Sequence, residues 1–309
     1  MRRIILFTSS VILLFGCRTE KKEERADAPA KEIFITPLGK EFSMPEPSDQ
    51  MLAQYESAKK DYKQDANNPD NLIWHGRRTA YLGKYEDAIK IYSEGIKKFP
   101  SDARFYRHRG HRFISIREFD KAIVDLEKAS ELIAGTKNEI EPDGMPNAQN
   151  IPVSTLHGNI WYHLGLAYYL KHDYQKAFDA YTKCRESGEL PDTIVSSTHW
   201  LYMIQRRLDN KELADKMLDP ISAKMNVIEN QSYHELCKLY KELIPVDSLI
   251  QTGTGSPSND AVSYGLANWY FYNGDKEKAK KAMETLIESK AFTSFGYIAA
   301  ESDLMYYFR

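Results

Sequence analysis

The stretch NPDNLIWHGRRTAYLGKYEDAIKIYSEGIKKFPSD, residues 68–102, decides the fold. Its small residues, Gly76 and Ala88, stand where two helices would touch, and aromatic or aliphatic residues stand where the helices would interlock. Tyr85 and Tyr92 are two of these interlocking residues. The pattern predicts a helix–turn–helix unit that has to pack on similar neighbours to bury its apolar face.

The same spacing returns further along the chain. Ala122 lies 34 residues after Ala88, and Ala177 lies 55 residues after Ala122. The excess of 21 residues matches GTKNEIEPDGMPNAQNIPVST, residues 135–155, which is rich in proline, glycine and asparagine. A structureless insertion of this length in a compact array is usually either functional or disordered. The sequence leaves both interpretations open.

The C-terminal half shows weaker periodicity. A degenerate fourth unit centres on Ala214, and a clear last unit centres on Ala279. Between them, residues 229–244 carry an apolar stripe typical of an amphipathic helix, and residues 251–260 (QTGTGSPSND) are a loop by composition. Residues 292–308 predict a closing helix that covers the apolar end of the array.

These residues resemble the tetratricopeptide repeat (TPR) family. The resemblance is strong at three sites, residues 69–102, 103–136 and 158–191. His75 and Thr79 depart from the family pattern, whereas Gly95 supplies an expected small residue. The resemblance implies an all-α fold over residues 50–309: a right-handed α-solenoid of helix–turn–helix repeats, interrupted by one long loop and capped by terminal helices.

The N-terminus, MRRIILFTSSVILLFGC (residues 1–17), has two arginines followed by an apolar run. It indicates a secretory signal, because it is shorter than a bilayer span of about 20 residues. Residues 14–17 resemble the lipobox of bacterial lipoproteins, although Phe15 is bulkier than usual. The resemblance implies lipidation of Cys17 and a membrane-anchored protein of the bacterial envelope, periplasmic or at the cell surface. An ordinary cleaved signal with an incidental cysteine is the alternative.

Residues 18–49 predict a flexible tether, because they begin with the charged stretch RTEKKEERADAPAKE. Within them, residues 33–44 are more apolar and suited to pack on the first helices. Residues 50–64 predict an N-terminal helix that covers the first repeat.

The composition excludes some classes of partner. The 309-residue chain has a formal charge of −2, and without residues 1–16 it would keep 40 basic and 44 acidic residues. No wholesale attraction to nucleic acid or to an anionic membrane face is expected from this balance. Cys184 and Cys237 occupy small or apolar positions of helical patterns, which predicts buried thiols and no disulfide framework.

In the family that this chain resembles, the first helix of each unit lines a concave surface that binds partners. The partner-binding groove carried over to this sequence contains Arg77, Tyr81, Arg104, Arg107, His111, Tyr162, Leu166 and Tyr169. Arg107 and His111 share one helical face. Such a cluster can hold the carboxylate of an acidic segment or of a free C-terminus. In the alternative, the basic helix pairs with Glu86, Asp87 and Glu94 and forms a solvated face.

We find no catalytic or metal-binding motif. His108 and His111 have no nearby ligand at metal spacing, and Lys238 takes the place of the second histidine that a zinc-protease helix would need after His234. The sequence therefore predicts no enzyme activity, no cofactor and no metal.

The sequence is consistent with two functions. The first is a membrane-anchored adaptor or scaffold that binds envelope proteins or peptides in its concave groove. The second is an accessory ligand-binding subunit or enzyme of a cell-envelope uptake system, with its site at the loops 135–155 and 251–260. An adaptor should have a continuous open groove without a buried titratable cluster, whereas an enzyme should have a closed pocket where carboxylates or histidines converge.

Overall fold

The computed structural model describes residues 33–250 and 257–309. Within these ranges the chain forms fourteen α-helices and one short antiparallel hairpin, which confirms the predicted all-α solenoid. None of the helices in this part of the chain is both long and apolar enough to cross a bilayer. The predicted signal at 1–17, its Cys17, and residues 18–32 of the predicted tether lie outside the described residues.

The elements follow the order of the predicted units. The hairpin and the first helix are β1 (Ile33–Ile35), β2 (Glu41–Ser43) and α1 (Asp49–Gln64). The helix pairs are α2 (Pro69–Tyr81) with α3 (Tyr85–Lys98), α4 (Ala103–Ser115) with α5 (Phe119–Leu132), α6 (Leu156–Leu170) with α7 (Tyr174–Glu186), and α8 (Pro191–Arg207) with α9 (Lys211–Met217). The C-terminal elements are α10 (Gln231–Tyr240), α11 (Asp247–Ile250), α12 (Pro257–Tyr272), α13 (Lys276–Leu286) and α14 (Phe295–Tyr307).

Side-chain caps set the start of the first helix in three units. Asn68, Asp102 and Thr155 each accept a hydrogen bond from a backbone N–H of the helix that follows them. These caps satisfy donors that a helix N-terminus cannot pair internally. The predicted starts of α2, α4 and α6 therefore have a local cause in the sequence.

Glycines allow the paired helices to approach closely. A Cβ atom added to Gly76 would overlap the ring of Tyr92, and one added to Gly165 would lie 2.6 Å from Cδ2 of Tyr181. Each pair joins the first helix of a unit to its second helix. Ala88 is fully buried in the same contact layer, so the predicted contact positions are confirmed.

The turn inside each helix pair contains a residue with positive φ. These residues are Gly83, Arg117, His172, Asp209 and Gly274, with φ between 57° and 94°. Glycine adopts this conformation readily, whereas other residues are strained there. Arg117 and His172 turn their side chains to α14, which gives these two non-glycine turns a structural role.

Helix α14 crosses the concave side, which is formed by the first helices of the units. Arg117 donates a hydrogen bond from Nε to Oε2 of Glu301 at 2.9 Å and another from Nη2 to the carbonyl of Phe292 at 2.6 Å. Ser302 donates to the carbonyl of Leu170 at 2.8 Å. The predicted closing helix thus covers the middle of the array as well as its end.

The tether prediction for residues 18–49 is wrong for residues 33–49. Phe34 and Phe42, opposite each other in the hairpin, stack on Phe292 with ring centroids 5.2 and 4.7 Å away. This aromatic contact buries apolar surface that a charged tether would not have. The hairpin therefore belongs to the folded body.

Two boundaries in the C-terminal half also differ from the sequence prediction. The predicted loop 251–260 already enters α12 at Pro257, and residues 251–256 lie outside the described residues. Helix α10 is shorter than the predicted 229–244 and ends at Tyr240. The two thiols, Cys184 and Cys237, are free and buried as predicted.

Candidate functional site

Four of the eight predicted groove residues line one cavity of about 190 Å³. They are Arg77 and Tyr81 from α2, and Arg107 and His111 from α4. His108 and Arg112 of α4 line the same cavity. We call Arg77, Arg107, His108, His111 and Arg112 the basic cluster.

The other predicted residues lie elsewhere. Tyr162 lines an adjoining cavity of about 290 Å³ and hydrogen-bonds to Tyr233. Leu166 and Tyr169 are only 0% and 1% exposed, so their assignment to an accessible groove is wrong. The Tyr169 hydroxyl lies 2.6 Å from the hydroxyl of Tyr264 on α12, because α12 and α14 cover this part of the concave side.

Arg104 lies outside the cavity and is already paired. Its Nη2 lies 2.6 Å from Oδ2 of Asp102, and its Nη1 lies 2.5 Å from Oδ1 of Asp70. The hydrogen bond that Arg104 donates to Asp102 is the main cause that raises the pKa of Arg104. Arg104 thus ties α4 to α2, and the structure does not bring it together with Arg107.

The alternative pairing of α4 with the acids of α3 is not observed for Asp87 and Glu94. Asp87 pairs with Lys90 at 3.0 Å, and Glu94 pairs with Lys98 at 2.7 Å, both within α3. These acids therefore do not neutralise the basic cluster.

The insertion, residues 135–155, supplies the carboxylate that meets the cluster. Oε2 of Glu141 accepts a hydrogen bond from Nδ2 of Asn159 at 2.9 Å and lies 3.2 Å from Nε of Arg107. Oε1 lies 3.5 Å from Nε2 of His108. Arg107 donates to Nδ1 of His108 at 2.9 Å, so the ring hydrogen of a neutral His108 sits on Nε2 and faces Glu141. Glu141 is buried, with 8% of its side chain exposed.

Main-chain carbonyls of the insertion are held as well. Arg77 donates from Nη1 to the carbonyl of Pro142 at 2.7 Å, and Arg78 donates from Nη1 to the carbonyl of Gly144 at 2.9 Å. A Cβ atom on Gly144 would lie 2.8 Å from Nη2 of Arg77 and would overlap the hydroxyl of Tyr81. A larger residue at this position would therefore make the Tyr81 and Arg77 side chains move away from the insertion.

Positive charge remains in surplus at the cavity. Three arginines, Arg77, Arg107 and Arg112, line it together with two carboxylates, Glu141 and Asp143. Among residues 33–250 and 257–309, Arg112 makes no ion pair with a carboxylate. Nε of the buried Arg107 has no aligned hydrogen-bond acceptor. The cavity therefore has an unpaired N–H donor and a net positive charge, with which it can bind one more anionic or acceptor group.

The histidines add no charge at neutral pH. Burial lowers the pKa of His108, His111 and His163 well below 6.5, and neighbouring arginines lower it further. The rings of His111 and His163 are 4.3 Å apart between centroids. No group of three potential metal ligands occurs in the described part of the chain.

A second buried polar network joins α8, α12 and α14. Arg207 donates from Nη2 to Oδ2 of Asp303 and from Nε to Oδ1 of Asn268 at 2.7 Å. Tyr264 also donates to Oδ2 of Asp303, at 2.9 Å, and Asn268 donates to the hydroxyl of Tyr169 at 2.9 Å. Every hydrogen bond here joins side chains of the fold, so the network holds α14 in place.

Sequence reasoning missed several residues that complete the cavity. Arg78 and Arg112 stand directly beside predicted groove residues, so the local density of arginine was an available signal. Glu141 and Asn159 gave no such signal, because their role depends on the path of the insertion. The face of α4 that lines the cavity is also wider than predicted, because it includes His108.

Comparison with protein families gives a consistent identification. Models of the tetratricopeptide repeat match this chain at residues 75–136, 158–186 and 261–289. These ranges contain the helix pairs α2–α3, α4–α5, α6–α7 and α12–α13 in whole or in large part.

Curated relatives share only part of their length with this chain. "Tetratricopeptide repeat protein 12" of Mus musculus is 25% identical over 194 residues, which cover 60% of this chain and 24% of that protein. "Hsp70-Hsp90 organizing protein" of Triticum aestivum is 34% identical over 85 residues, 26% of this chain and 15% of that protein. The chain thus spans at most about a quarter of the length of these relatives.

Solved structures of repeat proteins are also similar. A tetratricopeptide repeat protein from Parabacteroides merdae has 13% identity and a TM-score of 0.47, covering 82% of this chain and 92% of its own. YrrB, described as a TPR protein with an unusual peptide-binding site, has 15% identity and a TM-score of 0.44, covering 79% and 98%. The helix pairs and the three family matches together show that this chain contains tetratricopeptide repeats.

Proposed function

We propose that this protein is an adaptor that binds an acidic segment or a free C-terminus of a partner protein at the basic cluster. The observation that carries the proposal is the surplus of positive charge in the cavity, where Arg112 has no acidic partner among the described residues. Guanidinium groups bind carboxylates through charge-assisted hydrogen bonds, often two at once. A wheat relative is named for organizing two other proteins, Hsp70 and Hsp90, which supports a role in bringing proteins together.

The concave side differs from the open groove expected of an adaptor. The insertion covers its first part and α14 covers its middle, and a buried titratable cluster is present. The groups of this cluster bind one another: Glu141 is held by Asn159 and Arg107, and both ring nitrogens of His108 face a partner. A cluster with this pairing favours binding over catalysis, because a catalytic base or nucleophile has to face the substrate.

Removing the charge of Arg112 should weaken partner binding. We expect Arg112→Gln to lower recovery of the crosslinked partner at least about tenfold, as for loss of a charged hydrogen bond worth about 1.5–3 kcal/mol. The partner is to be identified by crosslinking and affinity purification of the protein from its own membrane, and quantified by mass spectrometry.

Lys183→Gln is the matched control for this measurement. It also removes one positive charge, but the Lys183 side chain is 57% exposed on α7, away from the cavity. Equal partner recovery with Arg112→Gln and Lys183→Gln would contradict the proposed site.

We further propose that a lipid on Cys17 holds the adaptor at a bacterial membrane. Only the sequence of residues 1–17 supports this part of the proposal. Two acyl chains anchor a protein stably, whereas a single chain gives marginal binding.

Loss of the lipidated cysteine should release the protein from the membrane. We expect Cys17→Ser to move it from the detergent phase to the aqueous phase in a detergent partition experiment. Cys184→Ala is the control, because Cys184 is buried in the fold. A wild-type protein that already partitions into the aqueous phase would rule out the anchor.

A further inference from the structure

The insertion binds the basic cluster in the way that a peptide ligand would. Over residues 141–144, one buried carboxylate faces Arg107, and two main-chain carbonyls accept hydrogen bonds from Arg77 and Arg78. Arginine clusters that bind acidic groups and hydrogen bonds to the main chain are both common means of peptide recognition. These contacts describe a ligand with an acidic residue followed by main-chain carbonyls that accept hydrogen bonds.

The base of the insertion is fixed independently of the cluster. Asn138 donates from Nδ2 to the carbonyl of Ser187 at 2.7 Å. The Leu156 N–H donates to the carbonyl of Glu139 at 2.9 Å. These bonds hold both ends of the insertion against α6 and α7.

The tip of the insertion is held much less firmly. Met145 is 68% exposed and Ile151 is 48% exposed. Asn147 donates to Oε1 of Glu229 at 2.6 Å, a contact at the protein surface. Segments with little buried apolar surface open at low free-energy cost. Replacement of residues 141–144 has to break their own polar contacts, including the bond from the Glu141 N–H to the carbonyl of Ser154 at 3.1 Å. The bonds of Asn138 and Leu156 do not involve the cluster and can stay in place.

We propose that residues 141–144 are an internal copy of the partner segment, and that an acidic partner binds by replacing them. The inference rests on the proposed function of the basic cluster. It adds that the insertion occupies the cluster in the free protein. The apparent affinity for a partner is therefore the intrinsic affinity multiplied by the fraction of molecules whose insertion has left the cluster. It also names the ligand chemistry: a glutamate-type carboxylate followed by main-chain carbonyls one and three residues later, as in Pro142 and Gly144.

The test uses the chain's own segment as a probe in trans. A fluorescein-labelled peptide IEPDGM, matching residues 140–145, is titrated with the full chain and followed by fluorescence anisotropy. We expect Glu141→Gln to bind the peptide at least about tenfold more tightly than the wild type, because the internal competitor is weakened. The peptide IQPDGM should bind more weakly to every variant, because it lacks the carboxylate.

Two further variants distinguish release of the insertion from a general loss of folding. Glu139→Gln makes the same change two residues away, where the side chain is exposed, and should bind like the wild type. Gly144→Ala keeps every charge but collides with Tyr81 and Arg77, and should also bind more tightly. Hydrogen exchange of residues 141–153 should rise in both Glu141→Gln and Gly144→Ala, while thermal unfolding confirms that the variants are folded.

The outcomes distinguish this inference from the proposed function. If Glu141→Gln and Gly144→Ala bind IEPDGM no more tightly than Glu139→Gln does, the insertion is not a competitor and this inference is wrong. Loss of the membrane partner with Arg112→Gln would then still support the proposed function. If no variant binds IEPDGM and Arg112→Gln keeps its partner, both are wrong.

Discussion

Replacing Asp303 with alanine should lower the free energy of unfolding by about 3–5 kcal/mol, because Arg207 would remain buried without its partner. Both side chains are only 1% exposed. Burial alone would lower the pKa of Arg207, but Asp303 and nearby tyrosines raise it well above its ordinary value. A loss of this size is a large part of the total stability of a typical domain, about 5–15 kcal/mol.

The measurement is equilibrium unfolding in urea, with an exposed ion pair as control. Asp215→Ala removes the partner of Lys211 at the surface, where the two side chains are 48% and 68% exposed, and should change stability by less than about 1 kcal/mol. The double variant Arg207→Met with Asp303→Leu should lose less than Asp303→Ala, since no lone charge stays buried. Equal losses for Asp303→Ala and Asp215→Ala would show that the buried network does not hold α14.

Adding one methyl group at Gly296 should also separate α14 from α12. A Cβ atom there would overlap the carbonyl oxygen of Asp260 and lie 2.6 Å from its carbonyl carbon. The neighbour is main chain, so no side-chain rotation can relieve the contact. Gly296→Ala should therefore destabilise the fold by at least about 1–3 kcal/mol, the usual cost of overpacking.

Gly188→Ala is the matched control for Gly296→Ala. Gly188 has no heavy atom within 4 Å of the added Cβ and does not have a positive φ, so the change should be within about 0.5 kcal/mol of the wild type. Thermal and urea unfolding measured side by side give the comparison. A Gly296→Ala protein as stable as Gly188→Ala would mean that α14 does not pack as closely as described.

The sequence could predict the repeats because their cause is local. Gly76 and Ala88 recur in phase with the following unit, and the phase determines which face of each first helix points inward. Arg77, Arg107 and His111 were assigned to one surface from this phase together with the resemblance to the tetratricopeptide repeat family, and they line one cavity.

Other parts of the site depend on contacts far apart in sequence. Arg117 and Glu301 are 184 residues apart, and no periodicity links them. Leu166 and Tyr169 point to the predicted side, yet they are inaccessible because α12 and α14 return over them. Glu141 lies in a segment without a repeat pattern, so only its tertiary contacts reveal what it binds.

The position of α14 has a consequence for how the protein is made. Asp303 follows Arg207 by 96 residues, so at about 5–20 residues per second the ribosome adds the aspartate about 5–20 s after the arginine. During that interval the first helices of the middle units lack their covering helix, and Arg207 lacks its counter-charge. A chaperone or a partner that binds the nascent chain meets a concave side that the finished protein no longer exposes.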